Sequence, residues 1–116
     1  MNMKTYLALQ HVLVSSEGER HGIVDQALAQ QGKKRTLALT LPQMFAAPAV
    51  VACTSMTATV LKRVALRSPA GRRLALFPPP VALPEIVFDL IWHRRSDNHP
   101  AQQWLRALIE STATSL

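Results

Sequence analysis

The 116-residue sequence holds a single cysteine, four glycines, only 5% aromatic residues and half as many acidic as basic side chains. Each shortage excludes something. Cys53 alone cannot form an intramolecular disulfide or a cysteine-rich zinc site. It lies in an apolar run with no basic or histidine neighbour, so the expectation is a buried, inert thiol rather than a nucleophile. Four glycines leave no phosphate-binding loop and no Gly-x-Gly-x-x-Gly fingerprint. With few aromatics, and none between the basic residues, there is no stacking platform for single-stranded nucleic acid. The longest greasy stretch, Met44 to Cys53, is half the length of a membrane span and contains Pro48. The N-terminus lacks the features of a secretory signal, and a cytoplasmic location is expected.

What is present is ample apolar material, 48% of residues, with 17% charged. That is enough to bury a core and too little charge for a disordered chain. Thirteen Lys and Arg against seven Asp and Glu leave a formal charge of +6. Such a balance raises a nucleic-acid reading, but its distribution weakens it. Lys33-Lys34-Arg35, Arg72-Arg73 and Arg94-Arg95 fall at loops or strand edges, where solvated charges normally sit. Neither candidate recognition helix carries a basic face.

The residue pattern alternates strands and helices. His11 to Ser16 reads as a strand, followed by a turn at Glu17-Gly18. Ile23, Val24, Ala27 and Leu28 recur at helical spacing, so residues 21 to 31 form a helix stopped by Gly32, with Asp25, Gln26, Gln30 and Gln31 on its wetter face. Thr36 to Leu41 is a half-buried strand ended by Pro42, and Gln43 to Ala52 is a helix with Pro48 near its first turn. A strand over Met56 to Val60, a short helix over Leu61 to Leu66, and strands over Leu74 to Phe77 and Glu85 to His93 follow. Asp97 or Asn98 is placed to cap a last helix, on which Ala101, Trp104, Leu105, Leu108 and Ile109 form one apolar stripe. The order is that of an α/β sheet flanked by helices.

Catalytic chemistry is missing. His11, His21, His93 and His99 show no metal-ligand spacing, and no metal is expected. Ser15 and Ser16 sit in no nucleophile elbow, and the carboxylates are scattered without a general acid-base pair. The chain is expected not to be an enzyme and to need no cofactor.

Taken together, several runs resemble the LysR-type transcriptional regulators. They are His11 to Ser15 with Gly22 to Gly32, Arg35 to Pro42, Phe45 to Ala52, Leu76 to Pro80, Ile91-Trp92-His93, and Asp97 to Arg106. The resemblance spans Tyr6 to Ile109 and departs from the family pattern at Thr54-Ser55-Met56 and Leu61. It implies one lobe of a type 2 periplasmic-binding-protein-like effector domain: a second lobe over about residues 11–92 and a returning C-terminal helix over about 99–113. The helix-turn-helix domain has no counterpart in these residues, so DNA contact is expected only through a domain absent from this chain. By position, Ser16, Gly18, Glu19, Arg20 and His21, with Gln43 and Met44, would face the effector cleft. An anionic small molecule is the implied effector. Val24, Gln26, Ala27, Gln30, Thr36, Ala38 and Thr40 would pair two copies as an antiparallel dimer, and no membrane partner is implied. The competing reading is a small stand-alone basic domain that binds nucleic acid.

Overall fold

A computed structural model of the protein describes residues 1–115, which divide into two units, one spanning Met1–Pro84 and the other starting at Glu85. The first unit begins with a helix that the apolar periodicity did not announce, α1 (Met3–Ala8). Its signal is the Asn2 side chain, which accepts a hydrogen bond from the Thr5 amide at 2.8 Å and so caps the first turn. Strand β1 (Gln10–Val14) follows, then α2 (Ile23–Ala29) and β2 (Thr36–Leu41). A 3₁₀ turn at Met44–Ala46 leads into α3 (Ala47–Ala52). Pro48 sits in the first turn of α3, where its missing N–H has no carbonyl to serve. The unit continues with β3 (Thr57–Ala58) and α4 (Lys62–Arg67).

The three strands form a parallel sheet in the order β2-β1-β3. Parallel neighbours need a crossover, and α2 and α3 supply the two. The α/β class is therefore as the residue pattern predicts, and the structure adds that the sheet is parallel. Val12 and Leu13 of β1 are buried, as the middle strand of such a sheet requires. On the α1 and α2 side, Tyr6, Val24, Leu28 and Val81 make the core cluster, with Leu83 packed against it.

Several expectations are corrected. The run Leu74 to Phe77 is extended but pairs with no strand, and Glu85 to His93 likewise carries no ladder. Apolar, β-branched sequence makes a chain suitable for a strand; only a neighbouring strand makes it one, and among the described residues neither run has such a neighbour. Val87, Phe88 and Ile91 accordingly remain more than 70% exposed. The strand expected over Met56 to Val60 shortens to Thr57–Ala58, because its ladder with β1 extends only from His11↔Thr57 to Val12↔Ala58. Cys53 is exposed, not buried, because it caps the C-terminal end of α3 as the chain turns away from the core. Arg35 is buried rather than solvated, and its partner Asp25 is half-buried rather than on the wet face of α2.

The second unit is organised by side chains. Its helix α5 (Pro100–Ser115) has no buried residue, and the stripe through Trp104, Leu105, Leu108 and Ile109 stands open. Asp97 does not turn its carboxylate to the helix; it accepts from Trp92 Nε1, while Arg106 lies 4.5 Å above the Trp92 ring and donates to the Asp97 carbonyl. The tryptophan-histidine segment and the final helix are thus tied within the unit by hydrogen bonds and a cation–π contact.

His11 is the buried titratable group of β1. Its Nε2–H donates to the Tyr6 carbonyl at 2.8 Å, its ring meets the Tyr6 ring edge-on, and Nδ1 has no partner. A carbonyl can only accept, so Nε2 holds the proton and Nδ1 a bare lone pair. Burial lowers the His11 pKa and the nearby Arg35 charge adds to that, outweighing the Tyr6 hydrogen bond and Asp25. The unfolded chain therefore binds a proton that the folded chain refuses. Stability falls as pH drops below about 6.5. Urea unfolding between pH 8 and 5 (about these limits) should show that slope, and His11→Gln should flatten it; an equal slope in the variant would assign the proton uptake elsewhere.

Candidate functional site

In a parallel sheet the loops leaving the carboxyl ends of the strands meet at one edge, and ligands bind there beside the point where strand order reverses. In this sheet the chain goes from β1 outward to β2 on one side, then to β3 on the other, so the reversal lies between β1 and β3: the loop after β1 borders it, whereas the loop after β2 leaves the strand on the far side of β1. Val14 and Leu41 are partners at the ends of β1 and β2, and the Ser15 amide extends the ladder to the Leu41 carbonyl at 2.8 Å. The loop from Ser15 and the loop from Pro42 consequently leave the same edge side by side. Ser16, Gly18, Glu19, Arg20 and His21 occupy the first, Gln43 and Met44 the second.

Local geometry shapes the first loop. Ser15 Oγ accepts from the Glu19 amide at 3.0 Å, closing a turn around Gly18. Gly18 has φ of 73°, a left-handed conformation that costs a side-chain-bearing residue about 1–2 kcal/mol. All five residues on this loop are exposed, as is Gln43, while Met44 is half-buried. Of the residues expected to pair two copies, Val24 is turned into the core of its own unit. Gln26, Gln30, Thr36 and Ala38 are exposed, and Ala27 and Thr40 are partly so.

Beneath the loop lies a contact that residue order concealed. Arg35, at the entry to β2, donates from Nε and Nη2 to the two carboxylate oxygens of Asp25, each at 2.8 Å. One of those oxygens also accepts from the Gly22 amide at 2.9 Å, so Asp25 supplies the return half of a capping box on α2, whose N-cap glycine has no side chain to complete it. Burial pushes the Asp25 pKa up, but the Arg35 and Gly22 hydrogen bonds and the Arg35 charge, with His21 adding slightly, bring it net below the ordinary carboxylate value. Its stabilising effect is present above about pH 4 and is lost as pH falls through the lowered folded value.

Two concavities were not foreseen. One, of about 420 Å³, runs between β3 and the extended Ala75–Pro79 segment and includes Tyr6, whose hydroxyl is 2.8 Å from Thr59 Oγ1. The other, of about 700 Å³, lies along α2 and the start of β2 and is lined by Arg20, His21, Asp25, Lys33, Lys34 and Arg35 among others. The structure thus places Arg20 and His21 with the Lys33-Lys34 pair as well as on the sheet-edge loop. Ser16, Gly18, Glu19, Gln43 and Met44 do not line that groove. The groups that could have revealed it are Asp25, three residues after Gly22, and an arginine directly before a strand. Among the described residues no cluster of three potential metal ligands occurs.

The chain resembles regulators along nearly its whole length. It is 35% identical over 109 residues to the HTH-type transcriptional activator NagR of Ralstonia sp, covering 94% of this chain and 36% of NagR. It is 33% identical over 114 residues to the HTH-type transcriptional regulator SyrM of Rhizobium meliloti (strain 1021), covering 97% of this chain and 35% of SyrM. The regulatory domain of MexT, a transcriptional activator in Pseudomonas aeruginosa, matches with a TM-score of 0.73 and 32% identity over 94% of this chain and 55% of that one. These relatives are LysR-type regulators and the solved match is a regulatory domain, so the chain is similar to part of the effector-binding domain of that family. No protein-family profile matches it. The chain spans about a third of the length of the curated relatives it matches.

The Asp25–Arg35 pair is largely withheld from water, with the side chains 2% (Arg35) and 11% (Asp25) exposed. Asp25→Asn leaves a buried guanidinium without its counter-charge and should destabilise the first unit by about 3 kcal/mol at neutral pH. Chemical denaturation measures it; a loss under about 1 kcal/mol would show the pair to be a solvated surface contact instead.

Proposed function

We propose that the chain is the effector-sensing part of a DNA-binding transcriptional regulator. The observation that carries this reading is the sheet edge: two loops, each leaving the carboxyl end of a parallel strand, stand side by side in a chain 32% identical to a solved regulatory domain. That likeness favours effector sensing over the stand-alone nucleic-acid module. The relatives are regulators rather than enzymes, and with no nucleophile-base or acid-base pairing in the chain we read it as non-catalytic. No helix among the described residues is long and apolar enough to cross a membrane; a cytoplasmic regulator fits this.

In this reading residues from about 11 to 92 form the second lobe of the cleft and residues from about 99 to 113 return to the first. The described residues divide into two structural units after Pro84, so residues 85–92 of this span lie in the same unit as the returning helix. DNA would be contacted through a helix-turn-helix domain outside these residues. The effector is a small anion: Arg20 carries a formal positive charge at the sheet edge, and Gln43 offers both a donor and an acceptor. Two copies pair antiparallel through the exposed face of Gln26 and Gln30 and the open edge of β2 at Thr36, Ala38 and Thr40.

A titration of the isotopically labelled chain with small aromatic and aliphatic carboxylates tests this. Weak, saturable shifts should appear at Ser16 to His21 and at Gln43 and Met44. Arg20→Ala should weaken them at least fivefold. Shifts confined to other residues would reject the sheet edge as the effector site. Micromolar or tighter binding by the isolated chain would contradict the assignment of the residues to one side of a shared cleft.

A further inference from the structure

The groove along α2 and the start of β2 concentrates charge. Four cationic side chains, Arg20, Lys33, Lys34 and Arg35, line it against the single carboxylate of Asp25, a formal excess of three out of the chain's net +6. Asp25 is fully engaged, both oxygens by Arg35 and one also by Gly22. Asp25–Arg35 is the only ion pair among the described residues, so Arg20, Lys33 and Lys34 face no carboxylate within 4.0 Å. Glu17 and Glu19, close by in the loop, do not line the groove. The Lys33 ammonium makes a single hydrogen bond, of 3.2 Å, to the Gln31 side chain. Isolated surface cations attract anions poorly in water, but three lining one concavity with Ala29 and Leu37 in its wall focus their field.

The cations are also spaced. Arg20 precedes α2 and the lysines follow it, and a helix of seven residues is about 10 Å long. One end of the groove therefore offers an arginine beside a histidine, the other two lysines, with the neutralised Asp25–Arg35 pair between. We infer that this groove binds a small-molecule oxyanion with at least two negative charges, of the phosphate or carboxylate class, at a site that overlaps the sheet-edge effector position at Arg20 and His21 and extends away from it to Lys33 and Lys34. The two positions share Arg20 and His21 and differ in every other residue. Lys33 and Lys34 belong to the groove alone.

The test is an amide-shift titration of the 116-residue chain at fixed ionic strength with sodium pyrophosphate, with citrate, and with sodium chloride as the control. Saturable shifts of Lys33 to Leu37 together with Arg20 and His21 are expected for at least one multivalent anion and not for chloride. The stronger of the two distinguishes a phosphate from a carboxylate ligand. The double variant Lys33→Gln, Lys34→Gln, altered only at exposed positions, should keep the remaining spectrum and weaken binding at least tenfold, while Gln43→Ala should change it less than twofold. Shifts that grow linearly like those of chloride, or that survive the double variant, overturn the inference. Binding of a short DNA duplex through the same residues, steeply weakened by salt and preferred to both small anions, overturns it in favour of nucleic acid. Either failure leaves the sheet-edge reading standing, because Ser16, Gln43 and Met44 report on that position independently.

Discussion

The fold of the first unit turns on the two-pronged contact between Arg35 and Asp25. It joins the entry of β2 to the first turn of α2, and through the Gly22 amide it reaches the loop that leaves β1. A β-α-β crossover has few ways to fix its two strands in register, and here one carboxylate binds helix start, loop end and strand start at once. A buried ion pair is not in itself a source of stability, since desolvation offsets much of the attraction. Its effect is to specify: any other placement of α2 along β2 would leave a buried guanidinium unpaired.

How much of this was legible follows from what each element depends on. β1, β2 and α2 were readable because their patterns are local: alternating leucines, helical spacing of Val24, Ala27 and Leu28, and a stop at Gly32. α1 carries a local signal too, the Asn2 cap, and its periodicity alone was too short to show it. Leu74 to Phe77 and Glu85 to His93 look as strand-like as β1 yet form no ladder, because pairing is a property of the neighbour and not of the run. Arg35 looked like the last member of a solvated basic trio. Its burial depends on Asp25, ten residues back, and nothing local announces that distance has closed.

The candidate site divides in the same way. Ser16 to His21, Gln43 and Met44 could be named from resemblance, and the parallel sheet gives a physical reason for their proximity: strand ends that pair deliver their loops to one edge. The cationic groove has no such pattern, since Arg20 and Lys33-Lys34 are separated by a whole helix. The charge that looked scattered in the sequence is half concentrated there. The second unit shows the opposite case, with an apolar stripe easily read on α5 and left uncovered, so that periodicity foretold the helix but not its burial.

A double-mutant cycle on Asp25→Asn and Arg35→Met, with denaturation and the amide shifts of Ser16 to Gly22 both recorded, tests the central contact most directly. If the pair fixes helix, strand and loop together, the two substitutions will be non-additive by more than about 1 kcal/mol, and each alone will move the loop amides. Additive losses with undisturbed loop amides would contradict the account.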